Sequence, residues 1–382
     1  MIKVLNLTEE GRGGGPLKRI SLVGKELQHS EVETLVVFPN KGADEFENSL
    51  KSLGVGYKMI SLHRLTKEKS HLMAYVVSFI SEIWAIKNIL KEHKIDIIHL
   101  NGAWQFKGLF AAKLSRSTKV VWHLNDSSQP ALVRSLFKRI SGWADGYIFA
   151  SQRTKDYYEG VSKRISKLPS KVIQAPVVQQ KEKSTKTLNL IKDKSESFNL
   201  ISVGYLNPNK NFELLIKAAA LLKGQTDKQI NLYIVGGALA SQKVYADQLK
   251  SLISELDVSN VHLLGHQKDV HSLLKDCQVY VCTSRFEASP ISIWESMING
   301  LYVISTDVGD VKNMFEKYGF GKVLPGFEAS QLANAILGVL KDESVLEESA
   351  LMAKKMAESE FSLKKVARQH ESIYKEIVNS KS

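Results

Sequence analysis

Short apolar runs separated by stretches of helical length set the rhythm of the first half of this chain. Lys3 to Leu7, Thr34 to Phe38, Ile95 to Leu100, Lys119 to Trp122 and Gly146 to Ala150 are brief and rich in Val, Ile and Leu. Such runs suit strands buried on both faces, with crossover helices between them. The rhythm stops at Gln179 to Ser197, which is dense in Lys, Ser, Thr and Glu. It resumes with Asn199 to Val203, Asn231 to Val235, Val261 to Leu264, Gln278 to Cys282 and Tyr302 to Ser305. The pattern predicts an α/β chain of two doubly wound parallel sheets, with residues 1–178 and 199–360 as domains and 179–198 as the linker. In the tail, 361–382, mostly apolar side chains recur from Leu363 through Val366, His370 and Tyr374 to Ile377. That spacing predicts an amphipathic helix whose stripe needs a partner, which either domain can supply.

Length agrees: 382 residues at about 150 per domain make two domains. Charge adds an asymmetry. Of the net +12, residues 1–178 carry 27 Lys and Arg against 16 Asp and Glu, and the remainder carries 25 against 24. A basic first domain favours an anionic partner, either an acidic membrane leaflet or a phosphorylated acceptor. Nucleic acid is disfavoured because no recognition module accompanies the charge. Two cysteines, Cys277 and Cys282, exclude a disulfide framework and fit a reducing cytoplasm. Met1 to Leu7 lacks the basic start and apolar core of a signal peptide. Leu72 to Leu90 is interrupted by Glu82 and Lys87, so no membrane span is expected. The expected location is cytoplasmic, at the inner face of the plasma membrane. The stripe Leu132, Val133, Leu136, Phe137, Ile140 and Trp143, flanked by Arg134, Lys138 and Arg139, reads either as core packing or as a basic membrane-lying helix.

The chemistry concentrates at predicted strand ends. Ser289 followed by Pro290 reads as an N-cap with proline at the first helical position, so a helix is expected from 290. Its first amides, near Ile291 and Ser292, would open at the end of a parallel strand and form a phosphate seat. Glu295 lies one turn further along the same face, from where it can reach a sugar hydroxyl beside that phosphate, and Glu287 sits on the turn itself. By spacing alone both are also ordinary surface acids. Gly236 and Gly237 end another strand and allow close backbone approach, and Gly265-His266 ends a third. In the first domain Gly11-Arg12-Gly13-Gly14-Gly15-Pro16 follows the opening strand. It lacks both the dinucleotide and the Walker spacing. His99 and His123 stand at strand ends, and no H-E-x-x-H or D-x-D element occurs in these segments, so no essential metal is expected.

The succession of Ser284, Glu287, seven residues, Glu295 and then Gly300 to Gly309 resembles the signature of retaining GT-B glycosyltransferases of family 4, the glycosyl transferases group 1. Val203 to Asn211 is similar to the same family's strand-loop segment. The resemblance implies a GT-B fold, two Rossmann-like domains facing across a cleft, the second binding a nucleoside-diphosphate sugar, UDP by default, and the first an acceptor. It places Lys210 on the diphosphate together with Ser289, Pro290, Ile291 and Ser292, and Glu295 on the ribose. Glu287 orients sugar hydroxyls, and the backbone near Gly236 and His266 meets the nucleotide. Gly13, Gly14 and Gly15 lie against diphosphate and sugar, and His123 lies beside the reacting sugar. Tyr205 stands where many members carry an arginine on the same diphosphate. The implied reaction is metal-independent same-face transfer to a lipid-linked or oligosaccharide acceptor in surface polysaccharide assembly, with no cofactor beyond the donor. An epimerase or hydrolase of the same fold, and a catalytically silent nucleotide-sugar-binding subunit, are the rival readings.

Overall fold

A computed structural model describes residues 1–65, 69–178, 190–193, 197–342 and 344–380. The chain divides into two units, Met1–Pro176 with Leu363–Ser382, and Val177–Ser362. In the first, β1 (Ile2–Leu7), β2 (Val32–Pro39), β3 (Gly56–Ile60), β4 (Ile97–Asn101), β5 (Lys119–Leu124), β6 (Gly146–Phe149) and β7 (Ser170–Val172) form a parallel sheet in the order β3-β2-β1-β4-β5-β6-β7. In the second, β8 (Phe198–Val203), β9 (Ile230–Val235), β10 (Val261–Gly265), β11 (Val279–Cys282), β12 (Tyr302–Ser305) and β13 (Lys322–Val323) follow the order β10-β9-β8-β11-β12-β13. Both are doubly wound, as the apolar rhythm predicts. The order reverses between β1 and β4 and between β8 and β11, and ligands of such sheets settle at these switch points, outside the carboxyl ends of the strands.

Alternation along each strand divides the core. In the first unit Leu5, Leu7, Ile98, Leu100, Trp122 and Phe149 face the helices Lys69–Glu92, Phe106–Ser115 and Ala131–Ile140. Val4, Ile97, Val121 and Ile148 face the opposite way, against Val366, Ala367, Ile373, Tyr374 and Ile377 of the closing helix Leu363–Asn379. That helix therefore packs on the first unit. Gly146 is required there, because a Cβ would overlap Ile377. The Ala131–Ile140 helix supports both readings of its stripe: Val133, Phe137 and Ile140 are buried, whereas Leu132 and Leu136 are exposed beside Arg134, Lys138 and Arg139.

Three details depart from the sequence reading. The chain enters the second unit at Val177, whose N–H donates to Phe361 O (2.9 Å), so the boundary lies two residues before 178/179. Of the segment read as a linker, 179–189 and 194–196 lie outside the described residues, but Ile191 is buried in the second unit's core and the Lys192 N–H donates to Tyr233 Oη (3.1 Å). Lastly, Leu72–Glu92 does have the length and apolar composition of a membrane span. Its inner side is nonetheless built into the first unit through Ile83, Ile86, Ile89 and Leu90.

Candidate functional site

In the second unit the loops after β8 and β11 meet at the switch point. Pro208–Lys210 forms one 3-10 turn, started by Asn207 Oδ1 accepting from the Lys210 N–H (3.2 Å). Asn211 then takes a left-handed φ of 52° and turns the chain into the Phe212–Leu222 helix. The Lys210 side chain folds back over Gly204, where a Cβ would come within 2.6 Å of its Cε. Its ammonium donates to Glu287 Oε1 at 2.7 Å. Four further bonds clamp the two loops: Arg285 N–H to Asn209 O (2.7 Å), Arg285 Nη2 to Asn211 Oδ1 (3.0 Å), Asn209 Nδ2 to Phe286 O (2.8 Å) and Thr283 Oγ1 to Lys210 O (2.7 Å). Burial works against the Lys210 charge, but Glu287 beside it outweighs burial and holds the ammonium's pKa above its ordinary value. The site thus carries a fixed cation already paired with a carboxylate. Asn209, Thr283 and Arg285 were not legible as site residues, because their role is to join loops far apart in sequence.

Next to this pair the strand ends make a floor without side chains. A Cβ on Gly236 would overlap Gly204 O, and its φ of 151° also disfavours a side chain. Gly204 N–H donates to Val235 O (2.9 Å) and Gly236 N–H to Gly265 O (2.8 Å), tying three strand ends together. Tyr205 and His266 are exposed beside this floor.

The helix that was expected from 290 starts one residue later, at Ile291, and runs to Ile298. Pro290 occupies the N-cap, and no side chain caps it. Ser289 instead accepts through Oγ from Trp294 Nε1 at 3.3 Å. Pro290 O receives Ile293 N–H (2.9 Å) and Trp294 N–H (3.3 Å), which puts the amides of Ile291 and Ser292 at the open end of the helix. Ser292 Oγ accepts from the buried Tyr280 hydroxyl (2.7 Å), pinning this first turn to β11. Glu295 follows one turn along, half-buried.

In the first unit Gly13 and Gly14 take φ of 99° and 110° and deliver the chain into the Gly15–Leu27 helix. Only glycine adopts both values without strain. Glu10 braces this loop through Arg12 (Nε 2.9 Å, Nη2 2.8 Å) and Arg64. Burial opposes its charge, yet these bonds hold its carboxyl down at about 2. At the β1/β4 switch point a cavity of 220 Å³ is lined by Glu9, Gly13, Asn101, Gln105 and Asn125 among others. Glu9 Oε1 and Gln105 Oε1 are buried without hydrogen-bond partners, and Lys107 Nζ stands 3.6 Å from the former. Burial, more than Lys107 can offset, pushes Glu9 up to about 8, toward the protonated acid. A neutral carboxyl beside an amide suits an uncharged, hydroxyl-rich ligand. Glu9 escaped the sequence reading because only burial distinguishes it from a surface acid.

His123 is the main correction. Expected beside a sugar, it is 0% exposed. Its ring accepts from Arg19 Nη1, stacks on His99 (centroids 5.3 Å) and lies tilted against His370 (5.9 Å). It lies on the face of the sheet covered by the closing helix, as does the buried His99. A guanidinium can only donate, so the facing imidazole nitrogen must be unprotonated, and burial followed by Arg19 drives the His123 pKa far down. Among the described residues no group of three His, Cys, Asp or Glu is placed to hold a metal ion.

Comparison with known proteins agrees with the two-domain fold. Residues 13–174 match the family described as Glycosyltransferase Family 4, and residues 186–359 match Glycosyl transferases group 1. The chain is 29% identical over 171 residues to a Campylobacter jejuni N-acetylgalactosamine-N,N'-diacetylbacillosaminyl-diphospho-undecaprenol 4-alpha-N-acetylgalactosaminyltransferase, covering 44% of each protein. It is 26% identical over 284 residues to an Escherichia coli UDP-Gal:alpha-D-GlcNAc-diphosphoundecaprenol alpha-1,3-galactosyltransferase, covering 68% of this chain and 70% of that one. The matched stretch is thus less than half the length of the Campylobacter relative. Anabaena HepE, solved in complex with UDP-glucose, shares the fold with a TM-score of 0.81 at 20% identity, over 98% of this chain and 100% of HepE.

Proposed function

We propose that this chain, which joins a Family 4 domain to a group 1 domain and so belongs to the GT-B glycosyltransferases, is a retaining enzyme. It moves a sugar from a nucleoside diphosphate, UDP by default, to a hydroxyl of a lipid-linked saccharide in surface polysaccharide assembly. The observation that carries the reading is the Lys210–Glu287 pair at the β8/β11 switch point, beside the open end of the Ile291–Ile298 helix. The lipid-linked acceptor and the retained configuration draw on the relatives, which are named for diphosphoundecaprenol acceptors and alpha linkages. Buried Cys277 and Cys282, neither in a disulfide, suit the cytoplasmic side of the membrane.

In this mechanism the arriving diphosphate competes with Glu287 for the Lys210 ammonium. As the bond from sugar to phosphate breaks, Lys210 and the amides of Ile291 and Ser292 take up the growing phosphate charge without reorganising. Glu287, released from the cation, orients sugar hydroxyls. The leaving diphosphate accepts the acceptor proton on the same face. The first unit's cavity at Glu9 and Gln105 receives the acceptor saccharide, whose hydroxyls satisfy the two unpartnered oxygens.

A donor-depletion screen over UDP-, GDP- and ADP-sugars, with and without a diphospho-polyprenyl saccharide, tests the reading. Acceptor-dependent consumption with an alpha-linked product supports it. Consumption without acceptor points to an epimerase or hydrolase, and binding without turnover to a silent subunit. Transfer is expected to survive exhaustive chelation, since a lysine and a helix end meet the diphosphate charge; loss with EDTA that divalent metal restores would refute this. Glu295→Ala should weaken nucleoside-diphosphate binding by about 1–3 kcal/mol, the cost of unmatched ribose hydroxyls. Calorimetry reads it directly, and an unchanged Kd removes Glu295 from the site. Glu287→Ala should lower kcat at least about tenfold while changing nucleotide Kd much less, because its partner develops charge only in the transition state. Parallel losses in kcat and Kd would make Glu287 a binding group alone.

A further inference from the structure

The Lys69–Glu92 helix is apolar on both sides, and only one side has a partner in the fold. Inward, Ile83, Ile86, Ile89 and Leu90 enter the core, and Glu82 accepts from the fully buried Lys107 at 2.5 Å. Outward, Met73, Val77, Ile80 and Trp84, spaced three and four apart along one face, are 50–78% exposed, and Val76 beside them is 61% exposed. Exposed apolar stripes of this extent mark an interaction surface. The stripe continues onto the two neighbouring helices. Phe79 stacks edge-on against Phe110 (5.9 Å) and Phe110 against Trp143 (5.5 Å), which closes the turn after the Ala131–Ile140 helix; that helix carries the exposed Leu132 and Leu136.

The geometry points to an anionic lipid leaflet as the occupant of this face, with the Lys69–Glu92 helix lying in the plane of the membrane. Charge selects that partner. Lys91, Lys113, Arg134, Lys138 and Arg139 are exposed on the three helices, and Lys87 sits 4.1 Å over the Trp84 ring. Among their described residues Glu92 is the one exposed acid. A second copy of the chain would bring an identical basic face and repel it, whereas acidic headgroups neutralise the cations as the apolar side chains enter the acyl boundary. The Glu82–Lys107 pair and the core contacts of the inner side fix the helix on the protein, so it lies on the bilayer and does not cross it. The assignment is independent of the transferase reading, because binding is scored without turnover.

Flotation of the full chain with phosphatidylcholine vesicles, with and without phosphatidylglycerol, tests it. Wild type should float with the acidic vesicles and be released in part by high salt. The double substitution Val77→Glu with Ile80→Glu should lower partitioning by about tenfold or more, with thermal melting and donor turnover on a soluble acceptor unchanged, since both side chains point outward. Trp84 should blue-shift on binding, a signal lost in Trp84→Phe. Failure to float at low salt, or flotation of the double variant equal to wild type, would overturn the proposal. So would a dimer in sedimentation that the double variant dissolves, because the occupant would then be a second copy.

Discussion

Replacing Lys210 by alanine is expected to slow transfer by about 10²–10³-fold, the usual consequence of removing one preorganised donor from developing oxyanion charge. Two features place the effect at the upper end. Tyr205 brings no charge to the position where an arginine is expected, so no second cation from that position helps Lys210, the helix amides and the glycine loop to meet the diphosphate. Removing the lysine also leaves Glu287 unpaired in a half-buried position, where its carboxylate repels the incoming phosphate. The double substitution Lys210→Ala with Glu287→Ala should therefore recover part of the nucleotide affinity lost in Lys210→Ala, but not the rate. Initial rates together with calorimetric Kd values separate these outcomes. Activity of Lys210→Ala within about tenfold of wild type would show that the ammonium serves the loop clamp and not the departing diphosphate.

Central strands were legible because burial on both faces demands short runs dominated by apolar residues, as in β1, β4, β8 and β11, even where Asn6, His99 or Asn199 interrupts them. The strands that escaped, β3, β7 and β13, lie at sheet edges and are short or half-exposed, so nothing forces such a run on them. Within the site, Lys210 and Glu287 were each visible from local spacing and resemblance. Their bond was not, because it arises from a strand order that brings residues 77 apart in sequence to one switch point. Ser289-Pro290 marked the end of a loop correctly but misplaced the cap, since the Ser289 hydroxyl turns to Trp294 instead. His123 could not be read locally at all. Its surroundings are set by Arg19, 104 residues earlier, and by the closing helix.

That buried histidine group sets the second large expectation, a pH dependence of stability that one substitution isolates. His370, from the closing helix, donates through Nδ1 to Val366 O (2.8 Å) and faces His99, His123 and the Tyr374 ring, within reach of the Arg19 charge. Burial, aided by Arg19, drives its pKa down to about 3, while the unfolded chain titrates near 6.5. The native state therefore refuses a proton that the unfolded state accepts. Stability is lost as pH falls below about 6.5, at a limiting slope of about 1.4 kcal/mol per pH unit for this one residue. Glu9, raised to about 8, and Asp126, raised to about 6, act in the opposite sense over the same window, so the slope of the whole protein mixes these contributions. His370→Gln keeps a donor for Val366 O and removes only the histidine's share. Its stability deficit against wild type should shrink by about 1.5 kcal/mol between pH 6.5 and pH 5, measured by urea unfolding at each pH. Parallel stability curves for the two proteins would mean that His370 is protonated in the native state, and that the closing helix is not held by a neutral histidine cluster.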